Sequence, residues 1–419
     1  MNLVEKFRTP WSKVGSRDFD TWHSMCSYLG AFPPSLASYF IKAFTNEGDY
    51  VMDPFSGRGT TILESRILNR NCIASDLNPI ALALSNAKNH DFKQEDILRR
   101  ISELEQKYDP ALYQPEADAQ DDAVHLIFHP RTLAQLCYLK RKLLNSKRSD
   151  DMFILGITLG ILHGGERADG SSGYASIDMP NTFSMSPDYV RKFVQNNQLN
   201  RFFRPVFSIL SEKTIRVFKK HSSPKQKGDV FEADAKQLSI LEELKPFHAK
   251  IDLIVTSPPY LGIVNYAKQN WIRSWFLNED PISVSNTLDD DLNLEEWIRF
   301  SKKVVSELKA FLAPEGVAVF VIGDVAKSRT SVIPLAREFV MMVKENNLFK
   351  NVWVINDVIG ETDKTTRIWG DTKGSATTTD RIVFLSDINP FEKFKDQTGI
   401  ELLDYAFVKA STATFMGYQ

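Results

Sequence analysis

Cysteine is scarce in this chain, and what there is lies far apart. Cys26, Cys72 and Cys137 are the only three in 419 residues. Their number is odd and no two share CxxC spacing, which argues against a disulfide framework or a cysteine metal site and fits reduced, buried thiols. Long apolar runs are missing as well. The longest, Met152–Leu162, is 11 residues, short of the roughly 20 that span a bilayer, so a buried helix is expected there and no membrane partner. Met1–Thr9 carries charge and lacks the apolar core of a secretory leader, which makes a cytoplasmic location the expectation. His125 and His129 stand at i,i+4 spacing, but no third ligand lies nearby, so no metal is expected. No internal repeat or low-complexity tract occurs.

Net charge is nearly absent too, at −2, but its distribution is uneven. Residues 123–227 hold 17 Lys+Arg against 7 Asp+Glu, an excess of +10 that leaves −12 for the rest. A basic quarter on an acidic body is what a polyanion-binding insertion would look like, although a solvated helical surface also produces such a run.

What is present is an alternation of strand-like and helix-like stretches, the pattern of an open parallel α/β sheet. Strands are expected at Tyr50–Asp53, Asn71–Asp76, Ile251–Thr256, Val317–Ile322 and Asp380–Leu385. Helices are expected at Thr61–Leu68, Pro79–Asn89, Leu294–Leu312 and Ser331–Glu345, with Pro314–Gly316 as a stop signal. Between His90 and Lys227 the alternation lapses into helices, at Glu95–Lys107, Pro130–Ser146, Asp150–His163 and Asn200–Lys220. Among them His163–Pro187 is a long, Gly- and Ser-rich loop. The expected fold class is therefore a doubly wound, mainly parallel, Rossmann-like sheet with a large, mostly helical insertion. Three parts follow: 1–89 as an N-terminal segment and cofactor half, 90–227 as a basic helical insertion, and 228–419 as a catalytic half.

Two motifs carry chemistry. Asp53-Pro-Phe-Ser-Gly-Arg-Gly-Thr-Thr61 places a strand end, a Gly turn and a helix start in the order that brings backbone N–H groups against a ligand. Asp53, Pro54, Phe55, Gly57, Gly59 and Thr60 are the candidate cofactor residues here, the two glycines because they let backbone and ligand approach closely. Ile62 replaces the third glycine of a dinucleotide fingerprint. Asp76 ends the second strand, where a carboxylate can accept from both hydroxyls of an adenosine ribose. Asp234, beyond a further short strand, is placed to accept from an adenine amino group. In the second motif, Asp252-Leu-Ile-Val-Thr-Ser-Pro-Pro-Tyr260, two prolines remove two donors and fix the chain. Ser257 and the Pro258 carbonyl then form an acceptor pair for an amine, Pro259 completes the turn, and Tyr260 offers a face to an extruded base.

Together Asp53-Pro-Phe-Ser-Gly-Arg-Gly59 and Thr256-Ser-Pro-Pro-Tyr260 resemble the amino-methylating DNA methyltransferases, which form N4-methylcytosine or N6-methyladenine. Phe32-Pro-Pro-Ser-Leu-Ala-Ser-Tyr39 is similar to the family's helix ahead of the glycine loop, which touches the methionine part of the cofactor. The resemblance covers about 30–90 and 228–385 in patches. It implies S-adenosylmethionine as cofactor, double-stranded DNA as partner with base flipping, a nucleoid-associated location, and in some members a cognate restriction endonuclease. Ser ahead of Pro-Pro-Tyr leans toward cytosine N4, with adenine N6 as the alternative. No cysteine follows a proline, as a 5-methylcytosine enzyme would require. The order of motifs most resembles members with a central recognition domain, so 90–227, including Lys140, Arg141 and Lys142, is the expected DNA-contacting part. A related RNA or protein-glutamine methyltransferase is the runner-up. A non-catalytic DNA-binding module on the same scaffold is a third reading, against which the intact motifs argue.

Overall fold

The computed structural model describes residues 11, 18–179, 186–197, 199–224, 226–262, 266–328, 331–358, 375–390 and 408–409. A single sheet carries the fold. Its strands are β1 (Tyr50–Asp53), β2 (Asn71–Asp76), β3 (Gly228–Glu232), β4 (Ile251–Thr256), β5 (Leu312–Ser328), β6 (Ser331–Ile333), β7 (Asn351–Val358), β8 (Ser375–Ser386) and β9 (Val408–Lys409). They lie in the order β3-β2-β1-β4-β5-β8-β7-β9, with β6 paired to β5. The run from β3 to β5 is parallel throughout. β8 is antiparallel to both β5 and β7, and β9 is antiparallel to β7. The doubly wound, mainly parallel class read from the sequence is the one observed. Strand order reverses between β1 and β4, and the crevice beyond the carboxyl ends of strands at such a point is where open sheets bind ligands.

Both faces of the sheet are buried, as the short apolar strands require. Val51, Leu253, Val255, Val317, Val319 and Val321 join one core with α1 (Pro34–Phe44). Their neighbours Met52, Ile254, Ala318, Phe320 and Ile322 join the other, so successive residues alternate between faces. Following β1 and β2 come α2 (Thr60–Ile67) and α3 (Pro79–Ala87). Among the described residues seven helices then precede β3: α4 (Gln94–Gln106), α5 (Pro110–Asp118), α6 (Asp122–Ile127), α7 (Pro130–Leu144), α8 (Ser149–Leu159), α9 (Pro187–Asn197) and α10 (Val206–Phe218). Short α11 (Tyr266–Gln269), α12 (Trp271–Leu277) and α13 (Pro281–Thr287) follow β4, and α14 (Leu294–Phe311) and α15 (Leu335–Glu345) cover the second face.

The helical block does not stand apart from the sheet. Ile80, Leu84 and Ala87 of α3 share one continuous core with Leu136, Phe153, Ile157, Phe207 and Trp271. Arg100 of α4 forks onto Asp151 of α8 with bonds of 2.8 and 3.0 Å. Three of its helices, α5, α6 and α9, were not expected; the first two are short, and α5 carries Pro115 inside it.

Several expected boundaries change: β5 and β8 run longer than expected, α8 ends at Leu159 and α10 starts at Val206, and two further changes have a local cause. Ser331–Ile333 pairs with β5, and the helix starts only after Pro334, whose fixed φ suits a helix entry. Pro314–Gly316 does not end α14 in a loop. It lies inside β5, where the pairing with β4 jumps from Ile251↔Leu312 to Leu253↔Val317, the irregular stretch in which a residue without an N–H is tolerated. Among the described residues no helix is long and apolar enough to cross a membrane.

Candidate active site

The glycine loop is held from beneath by Asp53. This carboxylate is 1% exposed. It accepts the Thr256 hydroxyl at 2.7 Å and the Phe55 N–H at 3.2 Å on one oxygen, and the Thr61 hydroxyl at 2.7 Å on the other. It therefore staples the ends of β1 and β4 to the first turn of α2. Burial pushes its pKa up to about 6 against the pull of those hydrogen bonds. The sequence reading made it a cofactor acceptor, but its carboxylate is spent on the protein and does not line the cleft. Gly59 has a similar outcome. It caps α2 at φ +75°, and a Cβ there would lie 3.1 Å from the Cα of Ser85 on α3. The glycine is needed for backbone conformation and helix contact, not for ligand approach. Lys88, buried at the end of α3, donates to the Arg58 carbonyl and fixes the loop from behind.

Above the loop, at the switch point, opens a cleft walled by residues of both motifs, in the position where open α/β sheets bind ligands. Pro54, Phe55, Gly57, Thr60, Asp76, Asp234, Ser257 and Pro259, all read from the sequence, line it. Asp76 accepts the Gly57 N–H and the Asn78 N–H, each at 2.9 Å, one on either oxygen. It shapes the loop while keeping an edge toward the cleft. Burial raises its pKa to about 6. Asp234 is half-buried, accepts the Lys236 N–H at 2.9 Å and lies 3.5 Å from that lysine's ammonium, which also pairs with Asp289.

The catalytic-turn residues are ordered by two anchors. Trp297 Nε1 donates to the Pro259 carbonyl at 2.7 Å. The Tyr260 hydroxyl donates to the Val321 carbonyl at 3.0 Å and lies 3.2 Å from Ser257 Oγ. With the tyrosine proton on Val321, the serine hydroxyl can donate to the tyrosine oxygen, an arrangement that leaves the Ser257 oxygen free to accept. Pro258 is buried and its carbonyl accepts no hydrogen bond among the described residues. Neither Pro258 nor Tyr260 lines the cleft itself; the tyrosine ring is half-buried against the second core.

Two walls escaped the sequence reading, except for Phe32, the first residue of the Phe32–Tyr39 stretch read as touching the cofactor. Tyr28–Phe32 precedes α1 and lines the cleft in place of the helix itself. Tyr28 stacks on Tyr266 with centroids 5.7 Å apart and accepts from Asn78 Nδ2 at 3.0 Å. Gly30, at φ +76°, leaves room for the Tyr266 hydroxyl, which would lie 2.5 Å from a Cβ. The other wall is Leu288–Asp290. Asp290 is 4% exposed, accepts the Tyr266 N–H at 3.0 Å on one oxygen, and among the described residues has no hydrogen-bond partner for the other. The run Asp289-Asp290-Asp291 was the signal available in the sequence. The three basic residues of α7 are largely engaged elsewhere. Lys140 sits 4.7 Å from the Trp275 ring centroid, Arg141 pairs with Glu116 at 2.7 Å, and Lys142 lies 5.7 Å from the Tyr138 ring.

A family model described as DNA methylase, for N6- and N4-methyltransferases, matches residues 7–87 and 251–401, more than half of the chain. The chain belongs to this DNA methylase family. The match takes in the glycine loop, Asp76 and the Ser257–Tyr260 turn and passes over the helical block and Asp234. The chain is 36% identical over 66 residues to Type II methyltransferase M.MjaII of Methanocaldococcus jannaschii, 16% of this chain and 12% of that protein. It is 37% identical over 75 residues to Type II methyltransferase M.BamHI of Bacillus amyloliquefaciens, 18% of each. It thus spans less than a fifth of the length of either relative. Against the crystal structure of TrmN from Thermus thermophilus it has 11% identity and a TM-score of 0.32, covering 88% of this chain and 52% of that one. S-adenosylmethionine is the cofactor of this family, and the carboxylates of Asp76, Asp234, Asp289 and Asp290 give the cleft an acidic lining that suits its cationic sulfonium.

Proposed function

We propose that this chain is a site-specific DNA methyltransferase that moves a methyl group from S-adenosylmethionine to an exocyclic base amine, cytosine N4 in preference to adenine N6. The observation that carries this reading is the shared cleft: Ser257 and Pro259 wall the same space as Gly57 and Asp76. Held there, S-adenosylmethionine would supply an activated methyl group. The residues of the chain would do the rest. A ring amine lends its lone pair to the ring and is a poor nucleophile. The Ser257 oxygen, kept an acceptor by its link to Tyr260 and Val321, and the Pro258 carbonyl would take its two hydrogens and aim the nitrogen. A base inside a duplex cannot reach such a cleft, so the target must be extruded, and the Tyr260 ring would stack on it.

No covalent enzyme–base bond is part of this reading. All three cysteines are buried, and burial pushes the Cys72 and Cys137 thiols up, the latter to about 12. The cytosine preference rests on Ser257 at the head of the turn. The division into 1–89, 90–227 and 228–419, DNA contact by the basic block, action beside a restriction endonuclease and a nucleoid-associated, cytoplasmic location belong to the same proposal. Incubation with methyl-labelled S-adenosylmethionine and duplex DNA tests it. Label should enter DNA and be strongly reduced in Ser257→Ala and Asp76→Ala; label found only in RNA or protein would overturn the reading.

A further inference from the structure

The basic charge of the helical block is better placed for a polyanion at Arg201-Phe202-Phe203-Arg204 than at Lys140–Lys142. Phe202 is 58% exposed, yet its backbone is not loose. The Arg204 N–H donates to Thr132 Oγ1 and the Thr132 hydroxyl donates back to the Arg204 carbonyl, both at 2.9 Å. Val206 N–H donates to Gln135 at 2.8 Å. Arg204 is half-buried and pairs with Glu166, and Arg201 reaches the His125 carbonyl. A large apolar ring is thus presented to water on a clamped turn.

The charge around it is uncompensated. Arg131 lies over the Phe203 ring at 4.1 Å, and Arg131 and Arg201 are both exposed. Neither pairs with an acid among the described residues. Their joint field also reaches His129, whose pKa is lowered first by burial and then by these two arginines. A partner for this surface must offer anionic groups beside flat apolar faces. Phosphates flanking base pairs do so, whereas one phenylalanine is a poor anchor in a lipid surface.

Packed side chains lie between the turn's neighbourhood and the cleft. Phe128, just before α7, packs on Trp275 of α12 with centroids 5.9 Å apart. α12 follows Tyr266, which lines the cleft. We propose that the Arg201–Arg204 turn is a DNA-binding wedge, with Phe202 inserting against bases while Arg131 and Arg201 hold the flanking phosphates. This rests on duplex DNA being the substrate.

Fluorescence anisotropy with a labelled DNA duplex across a salt series tests it. Phe202→Ala should weaken binding roughly 5- to 150-fold, the range of one base–aromatic stack, and leave the salt slope unchanged. Phe202→Trp should retain affinity, which separates a lost stack from a damaged fold. Arg131→Ala with Arg201→Ala should reduce the slope by about 2, one for each phosphate released. Wild-type affinity in Phe202→Ala, or equal loss in Phe202→Trp, overturns the wedge while the DNA reading stands. Wild-type protein that binds anionic vesicles or single-stranded RNA but no duplex overturns both.

Discussion

Removing one oxygen from Tyr260 separates two roles that the residue type alone cannot. Tyr260→Phe keeps the ring but deletes the bond to the Val321 carbonyl at 3.0 Å and the contact with Ser257 Oγ at 3.2 Å. The serine proton is then free to turn toward the incoming amine, where it opposes acceptance. A partly buried hydrogen bond of this kind is worth about 0.5–1.5 kcal/mol net, which is roughly 2- to 13-fold in rate. Tyr260→Ala should lose that and the stacking face as well, a further ~1–3 kcal/mol. Methyl incorporation into duplex DNA at saturating cofactor gives the rates, and calorimetry should show cofactor affinity unchanged in both variants. Ser257→Ala placed on Tyr260→Phe should cost less than Ser257→Ala alone, because the two act through one link. Wild-type turnover in Tyr260→Phe would refute the hydroxyl link; Tyr260→Ala no slower than Tyr260→Phe would refute the stack.

The remaining predictions concern the cofactor side. Asp76 becomes fully ionised in the folded chain only above about 6, and a diol is best held by the carboxylate. S-adenosylmethionine affinity should therefore rise as pH climbs through about 6 and level off above it. Asp76→Asn should bind weakly with no such step, and a wild-type affinity flat between about pH 5 and 8 would contradict the assignment. Asp53→Ala removes the partner of the Thr256 hydroxyl in the core and leaves Thr61 only its 3.4 Å bond to the Val255 carbonyl, and should cost about 1–3 kcal/mol. The measure is the urea midpoint at constant m-value; an unchanged midpoint would refute the staple. Gly30→Ala strains a positive φ and drives a methyl into the Tyr266 hydroxyl, so cofactor affinity should fall at least severalfold by calorimetry. Unaltered affinity would remove Tyr266 from the binding wall.

Much of the sheet was legible because its strands announce themselves. β1, β2 and β4 are short apolar runs closed by an acid or a hydroxyl, and their bounds agree with the structure at both ends. The Pro-Pro turn and the glycine loop were legible for the same local reason, since both fix backbone conformation. Asp53 shows where such reading fails. A strand-end acid looks alike in sequence whether it faces a cleft or lies beneath it. One partner, Thr256, is 203 positions away. Lys140 and Arg141 likewise read as part of a DNA-contacting basic face until Trp275 and Glu116 are brought against them by folding. The walls at Tyr28–Phe32, Tyr266 and Leu288–Asp290 come from three distant segments that meet only in three dimensions. No periodicity within any one of them marks a site.

The central claim is that the Ser257–Tyr260 turn and the glycine loop jointly present a base amine to a methyl donor. It is tested most directly by digesting duplex DNA after incubation with the protein and S-adenosylmethionine, and identifying the methylated nucleoside by mass spectrometry. N4-methylcytosine is the predicted product, strongly reduced with Ser257→Ala. N6-methyladenine in its place would overturn the cytosine preference, and 5-methylcytosine, or methylated RNA with unmodified DNA, would contradict the account itself.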